Sequence, residues 1–281
     1  MNLETIKISI TNKPLVMGIV NITKDSFFNG GKYFDFDKAY NRVIEIQSEG
    51  ADIVDIGAES TRPGSLPLKE EDEIDRLVPL ISSLKKEIKI PISCDTYKSK
   101  VAEKVLENGV GIINDIYAMR YDNRMAEVIK NAGCSVVLMH MQGTPETMQK
   151  NPFYKDVIKE VKDFFKERID FAEKRGINPE NIIIDPGIGF GKRVEDNLLI
   201  LNRLKEFTFL EKPILIGTSR KSFLGKIQGD NGPVEERLES SIASCVVAYI
   251  NGAKIFRVHD VKEIKRALNT VYKINYENSW T

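Results

Sequence analysis

Carboxylates, amides, cations and both histidines of this 281-residue chain stand at spaced points, each at or just past a short Val- and Ile-rich run. The residues are Asn21, Asp55, Asp95, Asn114 with Asp115, His140, Asp185, Ser219 and His259. Arg62, Lys221, Arg257 and His259 offer donors to a phosphate or carboxylate, while Asp95, Asn114 and Asp185 offer acceptors. A carboxylate accepts two parallel N–H bonds from a guanidine-like edge, so an aminopyrimidinone ring suits Asp185. Asn21 supplies a hard amide oxygen suited to Mg²⁺ when phosphate oxygens and waters complete the shell, and an Asx turn accounts for it equally well. One polar strand end is ordinarily a cap or a turn former; polar groups at every end point to a site.

The loops 21–31 and 57–65 carry Gly, Asn, Pro and hydroxyls, which loop formation largely explains. Phe27-Phe28 is the exception, because a solvated loop tip rarely needs two aromatics; a ring over a flat ligand explains the pair. Gly187-Ile188-Gly189-Phe190-Gly191-Lys192 has neither the Rossmann spacing nor, with Arg193 following, the Ser or Thr of a phosphate loop. A nucleotide loop is excluded there. Ser219-Arg220-Lys221-Ser222 leads towards a helix whose first N–H groups can receive a carboxylate or phosphate.

The elements that must position these groups alternate. Apolar runs predict strands at 15–20, 52–56, 91–94, 111–114, 135–139, 182–185, 214–217 and 254–258, buried on both faces as in a parallel sheet. Amphipathic helical stretches lie between them. Over 153–175, Val157, Val161, Phe165, Ile169 and Ala172 recur at helical spacing, with Asn151-Pro152 as the expected cap. Asp95 and Thr96 are capping-type residues ahead of a helix over 99–107. Eight such units with no linker or composition break predict an α/β fold, one (β/α)₈ TIM barrel over residues 1–281 as a single domain. A doubly wound open sheet is the second choice. In a barrel all eight strand ends converge on one face, which is where barrel sites lie.

Composition narrows the ligands. With 41 basic and 41 acidic residues the net charge is zero, so no global field draws nucleic acid or a membrane surface. Any anion must be held by a few local charges. Cys94, Cys134 and Cys245 are too far apart and too apolar in setting for a disulfide framework, and two histidines without C-x-x-C exclude structural zinc. The first residues carry no signal-peptide h-region and the apolar stretch 242–250 is too short to span a bilayer, so a cytoplasmic protein is expected.

Taken in order, the segments resemble the dihydropteroate synthase family of pterin-binding barrels. The resemblance runs from Met17-Gly18-Ile19-Val20-Asn21-Ile22-Thr23 and Asp25-Ser26-Phe27 through Glu59-Ser60-Thr61-Arg62-Pro63-Gly64 to Asp95-Thr96. It continues through Ile113-Asn114-Asp115-Ile116, Met139-His140-Met141-Gln142-Gly143 and Asp185-Pro186-Gly187-Ile188-Gly189-Phe190-Gly191 to Ser219-Arg220-Lys221-Ser222 and Arg257-Val258-His259-Asp260. It implies a transferase of folate biosynthesis that joins 6-hydroxymethyl-7,8-dihydropterin diphosphate to p-aminobenzoate, giving 7,8-dihydropteroate and pyrophosphate. On the matching positions, Asp95, Asn114, Asp185 and Lys221 would hold the pterin, and Thr61, Arg62, Arg257 and His259 the diphosphate. Phe27, Pro63, Lys221 and Ser222 would frame p-aminobenzoate, and Asn21 would ligate Mg²⁺. Asp95, Lys221, Arg257 and His259 would carry the catalytic roles. The family also implies a homodimer and a sulfonamide target.

Four positions depart from the family pattern. Lys24 replaces a usual Pro, Phe28 a small residue and Cys94 a common Val, while Asn29 replaces an Asp before Gly30-Gly31 that is implicated in Mg²⁺ handling. Asn29 favours a catalytically silent pterin-binding paralogue as one alternative. Another is a methyltetrahydrofolate–corrinoid methyltransferase-like barrel, which has no diphosphate to neutralise and so no use for the Ser219–Lys221 and Arg257–His259 cations.

Overall fold

The computed structural model describes residues 13–22, 32–59, 65–229 and 233–276, apart from the side chains of 32–35 and 234–235. Its eight strands are β1 (Leu15–Asn21), β2 (Ile53–Gly57), β3 (Ile92–Asp95), β4 (Ile112–Asp115), β5 (Ser135–Met139), β6 (Ile182–Asp185), β7 (Leu215–Ile216) and β8 (Ile255–Val258). All pair in parallel, in the order β6-β5-β4-β3-β2-β1-β8-β7. A parallel bridge between Ile184 and Ile214 joins the two edges, so the sheet curls into a nearly closed (β/α)₈ barrel. Expected and observed strands agree to within one or two residues; β7 is the shortest, with Ile214 reduced to that bridge.

The helices are α1 (Lys32–Ser48), α2 (Glu70–Leu84), α3 (Ser99–Glu107), α4 (Met125–Ala132), α5 (Val157–Lys174), α6 (Val194–Asn202), α7 (Ser222–Ile227), α8 (Leu238–Ile250) and α9 (Val261–Asn275). One follows each strand except β7, which two follow. Successive strand residues point to opposite faces, which explains the unbroken apolar runs. Val16, Val54, Val136 and Ile184 face outward into the main core shared with the helices. Met17, Ile53, Ile112, Val137, Ile183, Leu215 and Ile255 form a separate apolar plug inside the barrel.

Two expected caps are corrected. Asn151 adopts a left-handed backbone (φ 50°) and caps nothing. Helix α5 starts later, at Val157, because the Asp156 carboxylate accepts the Lys159 N–H at 3.0 Å while Glu160 accepts the Lys155 and Asp156 N–H groups at 2.8 and 3.1 Å. Helix α3 has the expected bounds, but Asp95 does not cap it. The carboxylate of Asp122, beyond β4, accepts the Ser99 N–H at 3.0 Å instead. The three cysteines are buried and free. Among the described residues no helix is long and apolar enough to cross a membrane.

Candidate active site

A two-residue step along five of the strands leads from the level of the apolar plug to a polar floor. From Ile53, Ser93, Ile112, Ile183 and Ile255, one full pleat leads to Asp55, Asp95, Asn114, Asp185 and Arg257 on the same inward face. The strand register aligns these side chains across the barrel: Gly57 opposes Asp95, and Asp95 opposes Asn114. The polar strand ends are therefore one layer, open to the C-terminal mouth.

Arg257 sits in the middle of that layer. Its Nε donates to Asp55 Oδ2 at 2.6 Å and one Nη to Asp95 Oδ2 at 2.8 Å. Asp55 is fully buried and also accepts the Ser93 hydroxyl at 2.6 Å and the Asn114 amide at 3.4 Å. One guanidinium between two carboxylates leaves a net negative trio. Burial, opposed by Arg257 and reinforced by Asp55, Glu73 and Glu59, lifts the Asp95 carboxyl to about 7. The guanidinium is held firmly charged, its burial outweighed by Asp55 and Asp95.

Asp185 lies across the floor, buried, with Oδ1 accepting the Gly187 N–H at 2.8 Å; burial raises its carboxyl above the usual range. Lys221 arrives from the loop after β7. Burial lowers its ammonium to about 8, with Asp185 opposing and Arg257 adding to the fall. Its Nζ donates to the Ile188 carbonyl and stands 4.7 Å from the centre of the Phe190 ring. His259, one residue past β8, has Nδ1 3.2 Å from Ser219 Oγ, and its backbone N–H donates to the same hydroxyl at 3.2 Å. Ser222 is exposed as the first residue of α7.

Asn21 ends β1 opposite Gly57. A Cβ added at Gly57 would lie 3.2 Å from Asp95 Cβ and 3.4 Å from Asn21 Oδ1, so glycine keeps a gap open between those two side chains. Among the described residues no cluster of three or more His, Cys, Asp or Glu side chains could hold a metal ion. One amide oxygen at the mouth fits Mg²⁺, which keeps most of its waters and binds through one or two protein oxygens plus substrate phosphates.

The layer thus gathers Asn21, Asp95, Asn114, Asp185, Lys221, Arg257 and His259 on one face. Phe27, Thr61, Arg62 and Pro63, with Lys24, Phe28 and Asn29, lie outside the described residues. His140 points elsewhere: it is buried under the loop after β6, with Nδ1 2.9 Å from Lys192 Nζ. Asp55 is the residue to which the sequence reading gave no role. Its signal was present, two residues after inward Ile53, yet no local feature marks it as the partner of an arginine 202 residues away.

Residues 17–259 match the family profile described as "Pterin binding enzyme". The chain is 44% identical to a dihydropteroate synthase of Clostridium beijerinckii over 95% of its own length and 96% of the relative's. It is 43% identical to that of Bacillus subtilis, covering 92% and 88%. The solved Yersinia pestis dihydropteroate synthase with a sulfonamide drug complex superposes with a TM-score of 0.88 at 39% identity, covering 94% of each chain. A Xanthomonas albilineans enzyme in complex with 7,8-dihydropteroate gives 0.85 at 36% identity, covering 95% and 96%. The inward polar layer and these likenesses agree: the chain belongs to the dihydropteroate synthase family of pterin-binding enzymes, transferases of folate synthesis.

Proposed function

We propose that the mouth of this barrel joins 6-hydroxymethyl-7,8-dihydropterin diphosphate to p-aminobenzoate, with Asp95, Asn114, Asp185 and Lys221 holding the pterin. The observation that carries the reading is the placement of two cations, Lys221 and Arg257, among the buried carboxylates Asp55, Asp95 and Asp185. Carboxylates and an amide suit the guanidine-like edge of a pterin, and the cations suit a departing diphosphate. Arg257 and His259, with Thr61 and Arg62 from the second loop, bind that diphosphate. Phe27, Pro63 and Ser222 frame p-aminobenzoate beside Lys221. Mg²⁺, held at Asn21, would add neutralising charge to the leaving group.

The chemistry needs no nucleophile from the protein. The C–O bond to diphosphate breaks with its electron pair on oxygen, and the arylamine nitrogen bonds to the methylene carbon and loses one proton. Asp95 stabilises positive charge on the dihydropterin methylene, and the rest is positioning. A Xanthomonas albilineans synthase solved with 4-aminobenzoic acid supports the second substrate. Neither a silent paralogue nor a corrinoid methyltransferase is favoured, since the similar proteins above are synthases.

We further read the chain as a cytoplasmic homodimer. The cytoplasmic part is supported by three buried free thiols. The dimer is supported by exposed Leu198 and Leu199 on α6, Ile227 on α7, and Val247 and Ile250 on α8. The deciding assay is pyrophosphate release with Mg²⁺ and the pterin diphosphate, with and without p-aminobenzoate. Release that depends on p-aminobenzoate, with dihydropteroate formed, is expected; no release from protein that binds the pterin would overturn the catalytic reading.

A further inference from the structure

The glycine-rich segment that resembles no nucleotide loop has a physical use. Residues 187–191 run from the end of β6 towards α6, and Gly187, Gly189 and Gly191 all have positive φ. A Cβ at Gly187 would stand 2.0 Å from the His140 carbonyl oxygen, and one at Gly191 2.3 Å from that of Gln142. The G-x-G-x-G spacing thus lets this loop lie directly on the backbone of the loop after β5.

Every carbonyl of the loop has a named partner. Gly189 O accepts Gln149 Nε2 and Gly191 O accepts the Tyr154 hydroxyl, each at 2.7 Å, and Ile188 O accepts Lys221 Nζ. Gly187 O and Phe190 O turn inward to a single group, the ammonium of Lys192, at 3.0 and 3.1 Å. The same ammonium reaches His140 Nδ1 at 2.9 Å and His140 O at 3.3 Å. Lys192 is only 4% exposed, and no carboxylate lies among these hydrogen-bond partners. Burial lowers Lys192 to about 7, with Asp185 and Asp196 opposing the fall. A basic group held at that cost on neutral acceptors carries a desolvation penalty that an aliphatic side chain avoids, so its presence calls for a reason beyond filling space. Its effect is to pin the underside of a loop whose upper side meets Lys221, at the Ile188 carbonyl and the Phe190 ring.

We propose that Lys192 is a positioning residue of the pterin site: its buried ammonium clamps the 187–191 loop onto His140 and thereby sets where Lys221 stands. The proposal rests on the reading of Lys221 as a pterin ligand. It makes Lys192 responsible for pterin affinity although it touches no substrate. His140 serves as a fixed acceptor, its imidazole kept neutral by burial and by Lys192.

The test is a double-mutant cycle on the full chain with Lys192→Met, Lys221→Met and both together. Kd for the pterin diphosphate is read by calorimetry, alongside thermal unfolding. Wild-type protein that does not bind the pterin diphosphate refutes the underlying reading, not the clamp. Given binding, folded Lys192→Met is expected to raise Kd about tenfold, and the double variant to bind within about twofold of Lys221→Met alone. A purely structural lysine would lower the Tm and leave the Kd of folded protein unchanged. An unchanged Kd, or effects of the two changes that multiply, would overturn the proposal. Should Lys192→Met not fold, Lys192→Arg provides the same test. Its planar fork cannot reach four converging acceptors, so Kd should rise severalfold, and parity with wild type overturns the clamp.

Discussion

The two cations of the site carry opposite stability signatures. Lys221 is a partly buried ammonium lowered to about 8 from an ordinary 10.5. Its charged form is disfavoured by folding, so the cost is present below pH 8 and fades as pH rises towards 10.5. Lys221→Met is therefore expected to raise the Tm at pH 7 by a few degrees, the gain vanishing above about pH 10, while turnover falls at least about a hundredfold. For the wild type, kcat/KM should decline above about pH 8 as the ammonium loses its proton. Thermal unfolding and steady-state rates across pH check both. Arg257 is the reverse. Arg257→Ala leaves Asp55 and Asp95 in the floor without their cation, a loss of about 3–5 kcal/mol that goes with the loss of turnover. Protonation of Asp95, already held at about 7, relieves the loss, so the Tm deficit should be larger at pH 8 than at pH 5. A deficit independent of pH would show that the trio is not what Arg257 stabilises.

At the scale of elements, the strands were legible because burial on both faces leaves an unbroken Val and Ile run, a property of adjacent residues. Helix starts were less so. The Asn-Pro pair at 151–152 has a suitable cap composition, yet the chain makes a left-handed turn there and hands the role to Asp156. Asp156→Ala should cost about 1 kcal/mol in denaturant unfolding and leave kcat unchanged, since this exposed cap bonds the Lys159 N–H and none of the floor residues. Lys98 was equally silent in the sequence, where it reads as one more basic residue beside a helix start. It is buried between Glu59 at 2.5 Å and Glu73 at 2.7 Å and also donates to the Leu68 carbonyl at 2.8 Å. Those bonds tie the two ends of the connection between β2 and α2 to each other and to the helix, because Glu59 lies near its start, Leu68 near its end and Glu73 in α2.

For the whole molecule, zero net charge leaves affinity to local groups, and the local groups are arranged by barrel closure. The proposed dimer belongs to the same scale. The exposed apolar residues of α6, α7 and α8 lie on helices that pack against one another, a surface suited to a second copy of the chain. Replacing Val247 and Ile250 together by Glu is expected to convert a dimer into a 31.8 kDa monomer in sedimentation, with the barrel still folded. A wild-type chain that sediments as a monomer would remove that expectation.

By itself the sequence determined the alternation of eight strands with helices and the polar residues at the strand ends, because both are written in near neighbours. The ordered segments from Met17 to Asp260 were enough to identify the family. Only the tertiary structure decided which polar residue meets which. Asp95 pairs with Arg257 instead of capping a helix, Asp55 becomes the deepest anchor of that arginine, and Lys192 turns under the glycine loop. These partners are up to 202 residues apart. Their pairing depends on the curl of the sheet that brings β8 beside β1 and faces it across the floor to β2 and β3, and no local pattern encodes that.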